Sequence, residues 1–186
     1  MNNSVPCSPL VEGYEIDSAG RRRLQRRLVH KSELQHVFVE RIDPVPPTGE
    51  GQDRFVAPLI IEPDHPFFFE HEIDHVPGLM LVEATRQVGT AISHLFYEVP
   101  FGVAFVLDEF NVSYAHFAEL SAPLAVHFTV VEKYYRKRTL SGLQAHTEWH
   151  QAGLRVGTMD VRWRFMPPAI LARLRRTSTM SIGITM

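Results

Sequence analysis

"PGLMLVEATRQVGTAISHLFYEVP", residues 77–100, decides the fold. Its apolar residues recur at helical spacing: Met80, Ala84, Val88, Ala91, Ile92 and Leu95 fall on one side of a 3.6-residue turn. Pro77 suits a first turn, where its missing N–H costs nothing, and Pro100 marks where the helix has already ended. The spacing predicts one helix of about 20 residues, the only long one in the chain. Opposite the apolar stripe lie Glu83, Arg86, Gln87, Thr90 and His94. Two readings of that row are open. Either it is a solvated face in which Glu83 pairs with Arg86 across one turn, or a sheet encloses it and it forms a site. In the second case its charges need partners and their pKa values shift.

Just upstream, "HEIDH" at residues 71–75 has the H-E-x-x-H form by which zinc proteases set two histidines on one helical face. The helix that this chemistry needs is blocked, because Pro66 and Pro77 flank the motif closely. Asp74 adds a charge inside it, and Leu81 stands where a third ligand would fall at the short spacing. The match reads as a coincidence of composition, and no metal is expected.

Working outward, residues 36–45 and 54–62 alternate as strands, with Pro58 marking an edge or a bulge. "PDHPFFFEHEIDHVPG" (63–78) is an irregular apolar connection. After the helix come four strand segments, 103–117, 123–138, 139–151 and 154–166, with turns marked by "SAP", "LSG" and "QAG". "PAILARLRR" (168–176) reads as a short terminal helix. One helix cannot cover both faces of a parallel sheet, so the class is α+β: an antiparallel sheet wrapped around one long central helix. Residues 1–20 read as a mobile N-terminal segment, 21–176 as one domain and 177–186 as a tail.

The 186 residues are 45% hydrophobic and 22% charged, with a formal charge of −2, an ordinary soluble composition. The single cysteine, Cys7, excludes an intrachain disulfide and suits a reducing cytoplasm. Neither a secretory signal nor a membrane-spanning run is visible. "RRRLQRR" (21–27) is the one dense basic run. It reads as a solvated segment or as a dock for an acidic partner such as an acyl carrier protein. Without interleaved aromatics or a binding motif it gives no case for nucleic acid.

"PFFFEH" followed by "PGLMLVEATRQ" resembles the hotdog superfamily, in which a long helix begins at Pro-Gly and carries Glu-Ala-x-x-Gln. Resemblance to its β-hydroxyacyl-thioester dehydratases would place a catalytic histidine at His71 and an acid at Glu83. Here, however, the connecting segment is shorter and their Gly-His-Phe-Pro is missing. A closer resemblance is to the A-factor biosynthesis hotdog family, carried in order by "LVHKSELQHVF" (28–38), "DHPFF" (64–68), "LVEATRQ" (81–87), "VPFG" (99–102) and "FVLDEFNV" (105–112). Members have two hotdog repeats and this sequence has one, so the resemblance implies a homodimer.

It also implies chemistry: transfer of a β-ketoacyl group from an acyl carrier protein or CoA thioester to the hydroxyl of dihydroxyacetone phosphate, opening a route to γ-butyrolactone signals in secondary metabolism. No cofactor is implied. For that reaction Glu83 is expected as the base and Arg86 as the cation for the phosphate. Gly78 and Leu79 N–H groups would serve the thioester oxygen. Five residues of helix, roughly 7.5 Å, separate Gly78 from Glu83, so the substrate spans that distance or the groups act from different subunits. Gln87 joins the row as a substrate contact. His65 and His71 are supporting candidates, and His30 with Lys31 is structural or anion-binding. Two other functions remain open: a dehydratase or thioesterase using Glu83, and a non-catalytic dimer that binds an acyl chain or carrier protein.

Overall fold

The computed structural model describes residues 13–46 and 51–181, and side chains as far as residue 176. The predicted helix is α1, Gly78–Phe96. Met80, Ala84, Val88, Ala91 and Ile92 on its apolar stripe are wholly buried. So are Gln87, Thr90 and Ser93 on other sides. A helix buried around most of its girth is wrapped rather than laid on a surface, while Glu83 is partly buried and Arg86, paired with it across one turn, stays exposed.

The wrapping is done by a six-stranded antiparallel sheet in the order β3-β4-β6-β7-β8-β5. Its strands are β3 (Asp43–Val45), β4 (Arg54–Pro58), β5 (Ala104–Tyr114), β6 (Leu124–Arg136), β7 (Thr139–Gln151) and β8 (Leu154–Met166). Alternation puts Leu124, Val126, Phe128 and Val130 of β6 on the helix side. At the centre Trp149 is fully buried, and its Nε1–H donates to the Thr85 hydroxyl at 2.8 Å. Thr85 in turn donates to the Leu81 carbonyl, tying helix to sheet. Glycine at the helix start leaves room for a tyrosine: the Tyr114 phenol donates to the Gly78 carbonyl, and a Cβ on Gly78 would sit 2.8 Å from that ring and displace it.

Several boundaries differ from the sequence reading, each for a physical reason. The strand expected over 36–45 shrinks to β3, because His36 ends a 3-10 turn (Leu34–His36), the His36 carbonyl and Phe38 N–H bond to Gln87 of α1, and residues 38–40 make only an isolated bridge to 58–60. The β6–β7 turn falls at Lys137, in the left-handed region, and not at "LSG". Gly142 lies inside β7, where a side chain would run into the Trp163 carbonyl. The terminal helix, α2, spans Pro168–Ser181 and continues into the segment read as a tail.

At the other end, residues 1–12 of the expected mobile segment and Cys7 lie outside the described residues, whereas β1 (Tyr14–Ile16) pairs with β2 (Arg22–Leu24). The basic run serves this hairpin. Arg23 is buried between Asp17 and Glu62, and Arg26 pairs with Glu15. Arg22 and Arg27 of the run are exposed and rest on the Tyr14 and Phe101 rings. No helix among the described residues is long and apolar enough to cross a membrane.

Candidate active site

The polar row of α1 faces a cavity of about 750 Å³, within the range of small-molecule sites. Leu79, Val82, Glu83, Arg86, Gly89 and Thr90 form the helix wall. Phe105 and Phe110 of β5, Met159, Val161 and Trp163 of β8, and Phe128 form an apolar wall across from it. The pre-helix connection contributes His65, Phe67 and Phe68, and the segment after β2 contributes His30, Lys31, His36 and Phe38. The lining is therefore mainly aromatic and aliphatic, with a charged cluster of Lys31, Glu83 and Arg86 set into it.

Glu83 is the hub of the charged cluster. Arg86 grips it in a fork, Nε to Oε2 and Nη2 to Oε1, both at 2.8 Å. Lys31 Nζ reaches Oε1 at 2.8 Å and the Gln87 amide reaches it at 3.0 Å. Burial by itself would raise the Glu83 carboxyl, but the hydrogen bonds and charge of Arg86, with those from Lys31 and Gln87, bring it down to about 2. A carboxylate so surrounded is a strong anchor and a weak base. Arg86 is also largely committed, since Nη2 donates to the Val29 carbonyl and Nη1 to Thr90. Among the described residues the Lys31 ammonium pairs with Glu83 alone, and so is the freer cation for an incoming anion.

Two histidine pairs flank this hub. His65 Nε2 lies 2.9 Å from His36 Nδ1, and the backbone N–H groups of Phe67 and Phe68 point at His65 Nδ1 at 3.3 and 3.4 Å. Those donors make Nδ1 the acceptor and Nε2–H the donor to His36. Burial, with His36 alongside, lowers the His65 pKa. The second pair joins His30 Nε2 to His94 Nε2 at 2.9 Å, with His94 Nδ1 donating to the Val99 carbonyl at 2.6 Å. Burial lowers both of these as well, His30 further through His94 and Arg86. A 3-10 turn, Arg26–Val29, ends at His30 in the left-handed conformation, φ 56° and ψ 50°, which swings His30 and Lys31 into the lining.

The structure thus gathers Glu83, Arg86, Lys31, His30, His65 and Leu79 around one cavity. Gln87 is fully buried and is not part of the lining. It accepts from the Phe38 N–H and donates to the His36 carbonyl, a tie between α1 and the chain beside it. Gly78 and Leu79 open α1 without a side-chain cap, and their N–H groups have no acceptor among the described residues. His71 is exposed in the connection and lines no part of the cavity. The "HEIDH" stretch lies wholly ahead of the helix, so its histidines share no helical face. Among the described residues no histidine, cysteine or acidic cluster could hold a metal. His36 and the His30–His94 pairing escaped the sequence reading, since 64 residues separate the partners and no spacing rule connects them.

The model of the A-factor biosynthesis hotdog domain matches residues 16–167. A 2-oxo-3-(phosphooxy)propyl 3-oxoalkanoate synthase from Streptomyces coelicolor is 28% identical over 153 residues, covering 80% of this chain and 47% of that protein. One of the same name from Streptomyces virginiae is 37% identical over 65 residues, 35% of this chain and 20% of that protein. The chain spans less than half the length of these relatives. Among solved structures, a dehydratase heterocomplex from Xenorhabdus doucetiae superposes with a TM-score of 0.59 at 13% identity, over 80% of this chain and 94% of that one. A thioesterase superfamily member from Thermus thermophilus gives 0.51 at 14% identity, over 75% and 98%. At such identities the likeness concerns the hotdog fold alone.

Proposed function

The chain belongs to the A-factor biosynthesis hotdog family, and from that premise we propose that it is an acyltransferase. It joins a β-ketoacyl group, delivered as a carrier-protein or CoA thioester, to the hydroxyl of a small phosphorylated acceptor such as dihydroxyacetone phosphate. The observation that carries this reading is one mainly apolar cavity whose lining also holds the Lys31–Glu83–Arg86 cluster. An acyl chain suits the apolar lining and a phosphate the charged cluster. The name of the Streptomyces relatives describes an ester of the same two parts, a 3-oxoalkanoate and a phosphorylated oxopropyl group. A dehydratase arrangement receives less support, because His71 stands outside the cavity that Glu83 lines. Glu83 enters as the anchor of the cations, and its suitability as the base is limited by the donors around it. Such substrates belong to the cytoplasm and to the supply of butyrolactone-type signals.

The working form is proposed to be a homodimer. β5 is a sheet edge, and Leu107 and Phe110 on it are half exposed while lining the cavity. Leu79 and Phe67, also in the lining, are more exposed still. An apolar rim continuous with a strand edge is a surface for a second copy. Light scattering should give about twice 21.3 kDa for the wild type and a single 21.3 kDa species for Phe110→Asp. A wild-type monomer would end the dimer reading.

Mass spectrometry of reactions containing a β-ketoacyl thioester, with and without dihydroxyacetone phosphate, tests the activity itself. The expected product is an acyl phosphate-ester that forms only with the acceptor. Free acid or enoyl product regardless of acceptor would make the protein a thioesterase or dehydratase, and unchanged substrate would make it a binding module.

A further inference from the structure

We propose that His30 is the residue that takes the proton from the acceptor hydroxyl, held in register by His94; the assignment rests on the acyl-transfer reading above. The hydrogen bonds fix the tautomers. Val99 accepts from His94 Nδ1–H, which leaves His94 Nε2 as the acceptor for His30 Nε2–H. His30 Nδ1 is then a lone pair with no recorded donor among the described residues. This is the base–orienter arrangement of nucleophile activation, with a backbone carbonyl as the third member. The rings are braced: His94 stacks on Phe101 at 4.4 Å between centroids, and His30 meets Phe105 edge-on at 5.0 Å. His30 occupies a left-handed backbone position that a non-glycine residue adopts at a cost, and such strain collects at working sites. Of the cations in the site, Arg86 is the one whose charge acts on His30, so a phosphate held on the cations lies on the Arg86 side of the imidazole.

The step balances as follows. The hydroxyl proton moves to His30 Nδ1 as the oxygen bonds to the thioester carbonyl carbon. The carbonyl oxygen takes the negative charge. When that charge returns, the C–S bond breaks and the thiolate leaves with the proton from His30, giving ester and thiol. The start of α1 does not serve this centre within one chain, since Gly78 lies about 24 Å of helix rise from His94.

The charged and titratable groups acting on His30 are His94 and Arg86 on α1, and Arg86 is itself paired with Glu83, which Lys31 also holds. Together with burial, His94 and Arg86 hold His30 neutral to lower pH than an ordinary histidine. Ester formation from a β-ketoacyl-CoA and dihydroxyacetone phosphate is to be followed against pH in wild type, His30→Asn and His94→Gln. Asparagine tolerates the left-handed backbone, and an unchanged melting temperature verifies the fold. The wild-type rate should rise with pH through a midpoint below 6.5. His30→Asn should lose about 10²–10⁴-fold in kcat, keep its KM for the acceptor and lose that rising limb. His94→Gln should move the limb to higher pH, because one of the groups depressing His30 is gone. A His30→Asn enzyme within about threefold of wild type, or with its limb in place, overturns the base assignment while the transfer reading stands. A wild type that makes no ester overturns the transfer reading, and the assignment falls with it.

Discussion

Replacing Glu83 by glutamine should cut kcat/KM for ester formation by at least about 100-fold and raise the KM for the phosphorylated acceptor. The cause is placement of charge. In the wild type one carboxylate collects the Arg86 fork, the Lys31 ammonium and the Gln87 amide within 3.0 Å. Glutamine keeps the shape but loses the charge and offers one acceptor oxygen where there were two, so Lys31 and Arg86 repel each other with nothing between them. Lys31 then leaves the geometry in which it meets a phosphate.

The same substitution has a pH signature. A carboxyl depressed from 4.5 to about 2 contributes stability that is fully present above 4.5 and lost as pH falls toward 2. The upper bound is about 3 kcal/mol, reduced by the water around half-exposed Arg86. Wild type should therefore lose stability across that window more steeply than Glu83→Gln, as read by urea unfolding at pH 2.5 to 5. Were Glu83 a free base instead, the variant would lose turnover with no change in acceptor KM and no change in the acid limb of stability.

How much of this was legible in the chain divides along a physical line. Period and punctuation are local, so the helix from Gly78, its buried stripe and the long strands β5 to β8 followed from residue spacing. The polar row was legible as a row. Its enclosure followed only from the count of strands available to wrap one helix. Contacts across long loops were not legible. The lone bridge of Val39 to Leu59, the burial of Arg23 against Glu62 and the His30–His94 pair each depend on segments that no period relates. The roles of single residues depended on those contacts most of all. Gln87 sits on the same helical face as Glu83, and spacing alone cannot distinguish a ligand contact from a tie to the neighbouring chain.

Gln87→Leu distinguishes the two. The side chain is fully buried, its oxygen accepts from the Phe38 N–H at 2.9 Å, and its nitrogen donates to the His36 carbonyl at 2.7 Å. Leucine fills much of the same volume and satisfies neither group. Each buried, unpaired backbone group costs about 1–3 kcal/mol, so the variant should lose about 2–5 kcal/mol and melt roughly 5–15 °C lower. A substrate contact would behave otherwise, raising KM while leaving the melting temperature in place. Gln87→Glu sharpens the test, because it sets a second carboxylate at 3.0 Å from Glu83 Oε1. Like charges at that distance raise the pKa of one of them. A group raised in the folded state stabilises below its unfolded pKa and loses that contribution as pH rises. The Glu variant should therefore approach wild-type stability near pH 4 and fall away toward pH 8, whereas the Leu variant stays destabilised throughout. Melting curves for both that match wild type at every pH would remove Gln87 from the framework of the site and return it to the ligand.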